Sequence, residues 1–291
     1  MAEEQQISRA ESSGTSLQAT PFPLDYFLVT FAFSWLFWGL AWFFARGSEG
    51  ATGATEDLLA GASPIMLVMI LIGVFGPFFS AFMLTWRSQG KAGALELWKS
   101  GWRFKIGYKW LLIGLLLFPA LWFISLNLGG AGVSFEAFTN PLKLLGLTFF
   151  MWFLGGPFGE EFGWRGYALP RLLKNYSAMN ASVILGIFWV CWHLPLFIIP
   201  GSPQAQIPFW PWAVGVIALA IIMTWVHVHV GGVVFAALLV HTTSNLAHEL
   251  AQPVLEVPID WSGPDAYNLY LQVALAVLLV LVFGHKHLKR E

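Results

Sequence analysis

Eight stretches of about 20 mostly apolar residues follow one another along this chain, near 26–45, 64–86, 109–128, 143–162, 180–199, 209–229, 232–250 and 266–284. Each is long enough for a helix rising 1.5 Å per residue to cross the hydrocarbon core of a bilayer. A backbone in lipid must satisfy its own hydrogen bonds, which leaves only helices or closed barrels, and uninterrupted runs of this length are helical. The expected fold is therefore all-α: a polytopic membrane bundle of about eight transmembrane helices enclosing a membrane-embedded polar cavity. The second stretch carries Gly76-Pro77, a break that membrane helices tolerate. Around Gly231-Gly232 the sixth and seventh stretches join, either as two helices or as one broken helix.

Composition supports lipid as the solvent. The chain is 57% hydrophobic and 11% charged, against about 25% charged for a soluble domain. Its 16 Trp suit the membrane–water interface. A net charge of −1 gives no nucleic-acid footprint, and the single Cys191 permits no intrachain disulfide. Residues 1–22 are polar and unlike a cleaved signal, so they are expected to form a disordered cytoplasmic tail. Residues 23–285 then form a single transmembrane domain and 286–291 a basic cytoplasmic tail.

Positive residues stay on the cytoplasmic side. Loop 87–109, the stretch after segment four (with Arg165, Arg171 and Lys174), the C-terminal end and Arg9 together hold 13 of the 15 basic residues on one side of an eight-span topology. Glu49, Glu56, Asp57, Glu136, Glu256, Asp260 and Asp265 fall on the other side, where Arg46 and Lys143 are the only basic residues. Both termini are expected to be cytoplasmic, in a plasma (inner) membrane.

Ionisable groups inside spans cost about 2.5–3.5 kcal/mol each on insertion scales, so each one is a functional candidate. The first group is Gly159-Glu160-Glu161-Phe162-Gly163-Trp164-Arg165. Glu161 and Arg165 share a helix face and can pair, whereas Glu160 points about 100° away and is left free. The second is His193, with Trp189 one turn earlier as a pocket wall. The third is His241 and Asn245, an i, i+4 pair in segment seven. Taken singly, each has a plain structural reading as an interfacial ion pair, a hydrogen-bonded histidine or a polar helix contact. The coincidence of all three on separate spans favours a site. Meeting requires segment four to continue past 162, through Tyr167 to Pro170, because both histidines lie near mid-membrane. His227, His229, His248, His285 and His287 rank lower, the first two as a cytoplasmic rim.

With these motifs in order, the chain resembles the CPBP family of intramembrane proteases, which includes the type II CAAX prenyl endopeptidases and bacteriocin-immunity-associated membrane proteins. The family pattern is Glu-Glu-x-x-x-Arg, Phe-x-x-x-His and His-x-x-x-Asn. Glu160, Glu161 and Arg165 match the first motif, His193 the second with Trp189 in place of Phe, and His241 and Asn245 the third, over about residues 140–250. The resemblance implies peptide-bond hydrolysis on a hydrophobic or lipidated membrane-anchored substrate, with membrane lipid as the other partner. Glu160 and His193 would activate water, His241 and Asn245 would bind the oxyanion, and Arg165 would hold Glu161. Chemistry without a cofactor is favoured; the alternative is zinc held by Glu160, His193 and His241. No His-Glu-x-x-His and no Gly-x-Ser-Gly occurs, which disfavours the site-2 zinc and rhomboid serine types. A non-catalytic membrane protein capturing a peptide or lipid in the same cavity is the alternative function, and a proton-coupled transporter is third.

Overall fold

The computed structural model describes residues 22–45, 64–131, 139–251 and 263–289. Among these residues it contains helices and their connections and no strand. The expected disordered tail and the acidic loops around Glu49, Glu56, Glu136 and Glu256 lie outside the described residues, apart from Phe22 at the end of the former.

Helix α1 spans Leu24–Ala45. The second apolar stretch divides as Gly76-Pro77 forecasts: α2 covers Pro64–Val74, α3 starts at Gly76, and the axis bends by 40° between them. Proline sits at the start of α3, where its missing N–H costs nothing. α3 then runs on to Ser100, so most of the expected loop 87–109 is helix, broken only by a non-helical Gly90. α4 follows over Tyr108–Leu128.

Segment four is the largest departure from the expected pattern. Helix α5, Pro141–Phe153, starts with the Asn140 side chain accepting from Lys143 N at 3.0 Å. It stops at Gly155-Gly156, and α6 restarts over Pro157–Gly163. Helical structure continues beyond 162 through a π turn at Trp164–Ala168 into α7, Leu169–Leu172. Pro170 has no N–H for the Gly166 carbonyl and its ring would crowd that oxygen, so the turn before it widens. The continuation that the site needed is therefore present.

Helix α8 covers Ala178–His193, with the Ser177 side chain accepting from Asn180 N at 3.2 Å. α9 is Phe209–His229, α10 is Val234–Ala251 and α11 is Pro264–Phe283. Segments six and seven are thus two helices, turned at Gly231 and Gly232, both with positive φ. Among the described residues, six helical runs, with Pro141–Leu172 taken as one, or seven with the bent α2–α3 pair, are long and apolar enough to cross a membrane. Helix α10 is long enough but too polar, because it carries the third motif. The protein is an integral, multi-pass membrane protein of about the expected span number.

Helix α10 sits at the centre, packed against α4, α5, α6 and α9, while α1 covers α2 and α3 and α9 lies between α8 and α11. Close approach depends on small residues, as expected where lipid offers no hydrophobic drive between helices. Thr243 donates to the Gly114 carbonyl at 2.6 Å, tying α10 to α4.

The contacts Phe22–Tyr176, Val234 N to Ser100 Oγ and Ala178 N to the Lys286 carbonyl join the ends of α1, α3, α7, α8, α10 and α11 at the basic end of the bundle. The described basic residues gather there, with two exceptions. Lys143 starts α5 at the opposite end, and Arg165, expected among the cytoplasmic charges, is fully buried.

Candidate active site

The three motifs meet around Trp189. Its indole N–H donates to Glu160 Oε2 at 2.5 Å, and its carbonyl lies 2.8 Å from His193 Nδ1. Its ring stacks edge to face on His241 with centroids 5.2 Å apart, and the Arg165 guanidinium sits 4.3 Å from the ring centroid. A phenylalanine would keep the stacking and lose the hydrogen bond. The expected pocket wall is thus also a donor to the acidic pair.

Glu161 pairs with Arg165 as its i, i+4 spacing forecasts, through Nη1 to Oε1 at 2.8 Å with both side chains fully buried. His241 Nδ1 reaches the same oxygen at 2.7 Å, which the sequence did not forecast. A buried cation and an imidazole N–H thereby share one carboxylate oxygen and orient the His241 ring. Asn245 donates to the Gly155 carbonyl at 3.1 Å, holding α10 to the break between α5 and α6.

Glu160 is not free, contrary to expectation. Trp164, one turn ahead of it on the same face, also donates to its Oε2 at 3.3 Å. The spacing that pairs Glu161 with Arg165 pairs Glu160 with Trp164, a signal present in the sequence but overlooked because indoles carry no charge. Both indoles hold one oxygen and leave Oε1 over Gly156. That glycine has φ +112°, and a Cβ there would lie 2.6 Å from Glu160 Oε1 and 3.9 Å from His241 Cε1. Gly156→Ala is expected to leave a folded protein with at least tenfold lower activity, by straining this turn and crowding the carboxylate; kinetics beside a melting curve would check it.

A carbonyl only accepts, so the Trp189 contact places the hydrogen of His193 on Nδ1 and leaves Nε2 as an acceptor. Trp38, Trp192 and Trp212 surround the ring, with the nearest centroids at 4.6 Å and 5.0 Å. Glu160, His193 and His241 are each 4–8% exposed, buried but not sealed.

His227 is not a rim residue: it is buried beneath Gly232, and its Nδ1 makes no hydrogen bond to protein. The rim reading failed because the turn at 230–233 folds back over it. His248 is partly buried, its ring centroid 5.3 Å from that of Trp122.

A zinc site would need Glu160, His193 and His241 to converge on one point. Among the described residues no three His, Cys, Asp or Glu side chains do so. The bonds to Glu160 Oε2 and His241 Nδ1 orient these groups and leave Glu160 Oε1 and His241 Nε2 unbonded among the described residues. The three side chains are not gathered at ligating distance of one point, and the chemistry below is written without a metal.

Replacing Trp189 by Phe is expected to lower turnover about 10–100-fold with little change in KM, because it removes a hydrogen bond to a charged group and spares the ring contacts. Steady-state kinetics on a cleavable peptide would measure this.

Comparison with known proteins places this arrangement. Residues 141–247 match the family model described as type II CAAX prenyl endopeptidase Rce1-like. That range contains all six residues of the three motifs. The chain is also 29% identical over 279 residues to CAAX prenyl protease 2 of Methanococcus maripaludis, covering 88% of this chain and 93% of the relative. The likeness to the relative extends beyond the motif region into the helices that precede it.

Proposed function

From the similarity to the Rce1-like type II CAAX prenyl endopeptidase model and to CAAX prenyl protease 2, we propose that this chain is an intramembrane endopeptidase. Its substrate in this reading is a membrane-anchored protein with a prenylated C-terminal tail. The observation that carries the reading is the convergence of Glu160, His193 and His241 on Trp189 from three separate helices.

The proposed chemistry is water attack on the scissile carbonyl. Glu160, with Oε1 clear of the indoles, takes a proton from water, and His193 Nε2 accepts the second water hydrogen and fixes its orientation. The new C–O bond gives a tetrahedral oxyanion. His241, held through Nδ1 by Glu161, donates from Nε2 when protonated, and the buried Glu161–Arg165 pair supports that positive charge. Asn245 Nδ2 has a second hydrogen beyond its bond to Gly155 and lies one turn from His241. Collapse breaks the C–N bond, and Glu160 returns its proton to the leaving amine. Water exclusion by the aromatic walls strengthens each of these interactions.

The basic end of the bundle is assigned to the cytoplasm by the positive-inside rule, which places both termini there. Purified protein in detergent, given a prenylated peptide library and its unlipidated counterparts, is expected to release short C-terminal fragments from the prenylated set only. No cleavage, together with retained cellular function in a Glu160→Ala, His193→Ala double variant, would replace the peptidase by a non-catalytic capture protein.

A further inference from the structure

The last residues of the described chain do more than end α11. Gly284, at φ +76°, turns the chain, and Leu288 is the only described non-glycine residue with positive φ, at 47°. Leu288 is nevertheless completely buried, and its N–H bonds the Gly284 carbonyl at 3.1 Å. Backbone pairing fixes the same turn from the other side: Ala178 N donates to the Lys286 carbonyl at 2.8 Å and Met179 N to the His285 carbonyl at 3.0 Å. A left-handed leucine is strained, and such strain persists where the surroundings impose it, often at ligand clamps. Here it folds a basic tail back onto the first turn of α8.

The fold-back builds a groove of about 800 Å³. Lys174, Lys286, Lys289, His285 and His287 line it with Tyr176, and among the described residues no acidic side chain does. Lys174, Lys286 and Lys289 are all exposed there, so the groove presents like charges to solvent, and an anion bound among them relieves their repulsion. Tyr176 is 39% exposed on the rim, as interfacial tyrosines are, and the groove lies at the basic end of the bundle.

We propose that this groove binds the phosphate of an anionic phospholipid headgroup. Lysines gathered at the end of a helix bundle by the fold-back suit a phosphodiester, with the acyl chains lying along the exposed apolar faces of α8 and α11. The site is independent of the peptidase reading, because occupancy is measured without substrate.

The test is native mass spectrometry of the full-length protein from nanodiscs of phosphatidylcholine containing graded phosphatidylglycerol. Wild type is expected to retain one phosphatidylglycerol. A Lys174→Gln, Lys286→Gln, Lys289→Gln variant should lose about tenfold or more in affinity. Leu288→Ala, which keeps every charge, should lose about threefold or more because the groove is no longer held, while Arg87→Gln, Lys91→Gln, Lys105→Gln on α3 and its loop should stay within about twofold. If Leu288→Ala binds as wild type does, or the α3 variant loses as much as the groove variant, the lipid is held by general charge attraction and the site is wrong. Displacement of the lipid by millimolar inorganic phosphate would overturn the headgroup in favour of a free-phosphate site. Should the triple variant lose its melting transition, Leu288→Ala and Lys286→Gln alone decide between the same outcomes.

Discussion

Glu160→Gln is expected to reduce cleavage of a prenylated peptide by about 10³-fold, within the range for loss of a general base, and to leave the fold intact. Gln has the same shape and can turn its carbonyl oxygen toward the indoles of Trp164 and Trp189, so both hydrogen bonds survive. What it lacks is the ability to take a proton from water. Binding surfaces are untouched, so the loss should fall on kcat, with KM nearly constant. Equal cleavage by variant and wild type would remove Glu160 as the base and with it the proposed mechanism.

The largest effect on stability is expected from Arg165→Leu. Arg165 and Glu161 are both completely buried, and their pairing is what makes either charge tolerable there. Removing one partner strands the other, at about 3–5 kcal/mol. Denaturant titration in detergent should show that loss. The double variant Glu161→Leu, Arg165→Leu should recover most of the stability, because no unpaired charge remains. It should not recover activity, since His241 Nδ1 then has no carboxylate to orient it. Recovered turnover in the double variant would show that the pair serves only the fold.

The two predictions separate the members of the acidic pair. Adjacent in sequence, they lie about 100° apart around the helix and meet different neighbours. Glu160 faces two indoles and a turn of glycines; Glu161 faces a guanidinium and an imidazole.

Much of this was legible in the residues alone. Span length follows from bilayer thickness, so all eight apolar stretches announced themselves by length and hydropathy, although α10 falls short of the apolarity of a spanning helix because it carries the third motif. The Glu161–Arg165 pair followed from four-residue spacing, and so did the hydrogen bond from Trp164 to Glu160, once an indole is counted as a donor. The Gly155-Gly156-Pro157 break was not forecast, although glycines that permit positive φ before a proline that can start a helix carry the signal for it. The family resemblance drawn from the three motifs stands.

Tertiary structure decided the rest, because it concerns which faces of separate helices meet. Nothing in the spacing of residues 161 and 241 says that a histidine from α10 will share the oxygen that Arg165 holds. The burial of His227 under the 230–233 turn and the folding of the basic tail over the start of α8 are likewise contacts between segments distant in sequence. Local periodicity sets where a side chain points on its own helix. Only packing decides what waits for it there, and for this protein that is the difference between a list of costly polar residues and a site centred on Trp189.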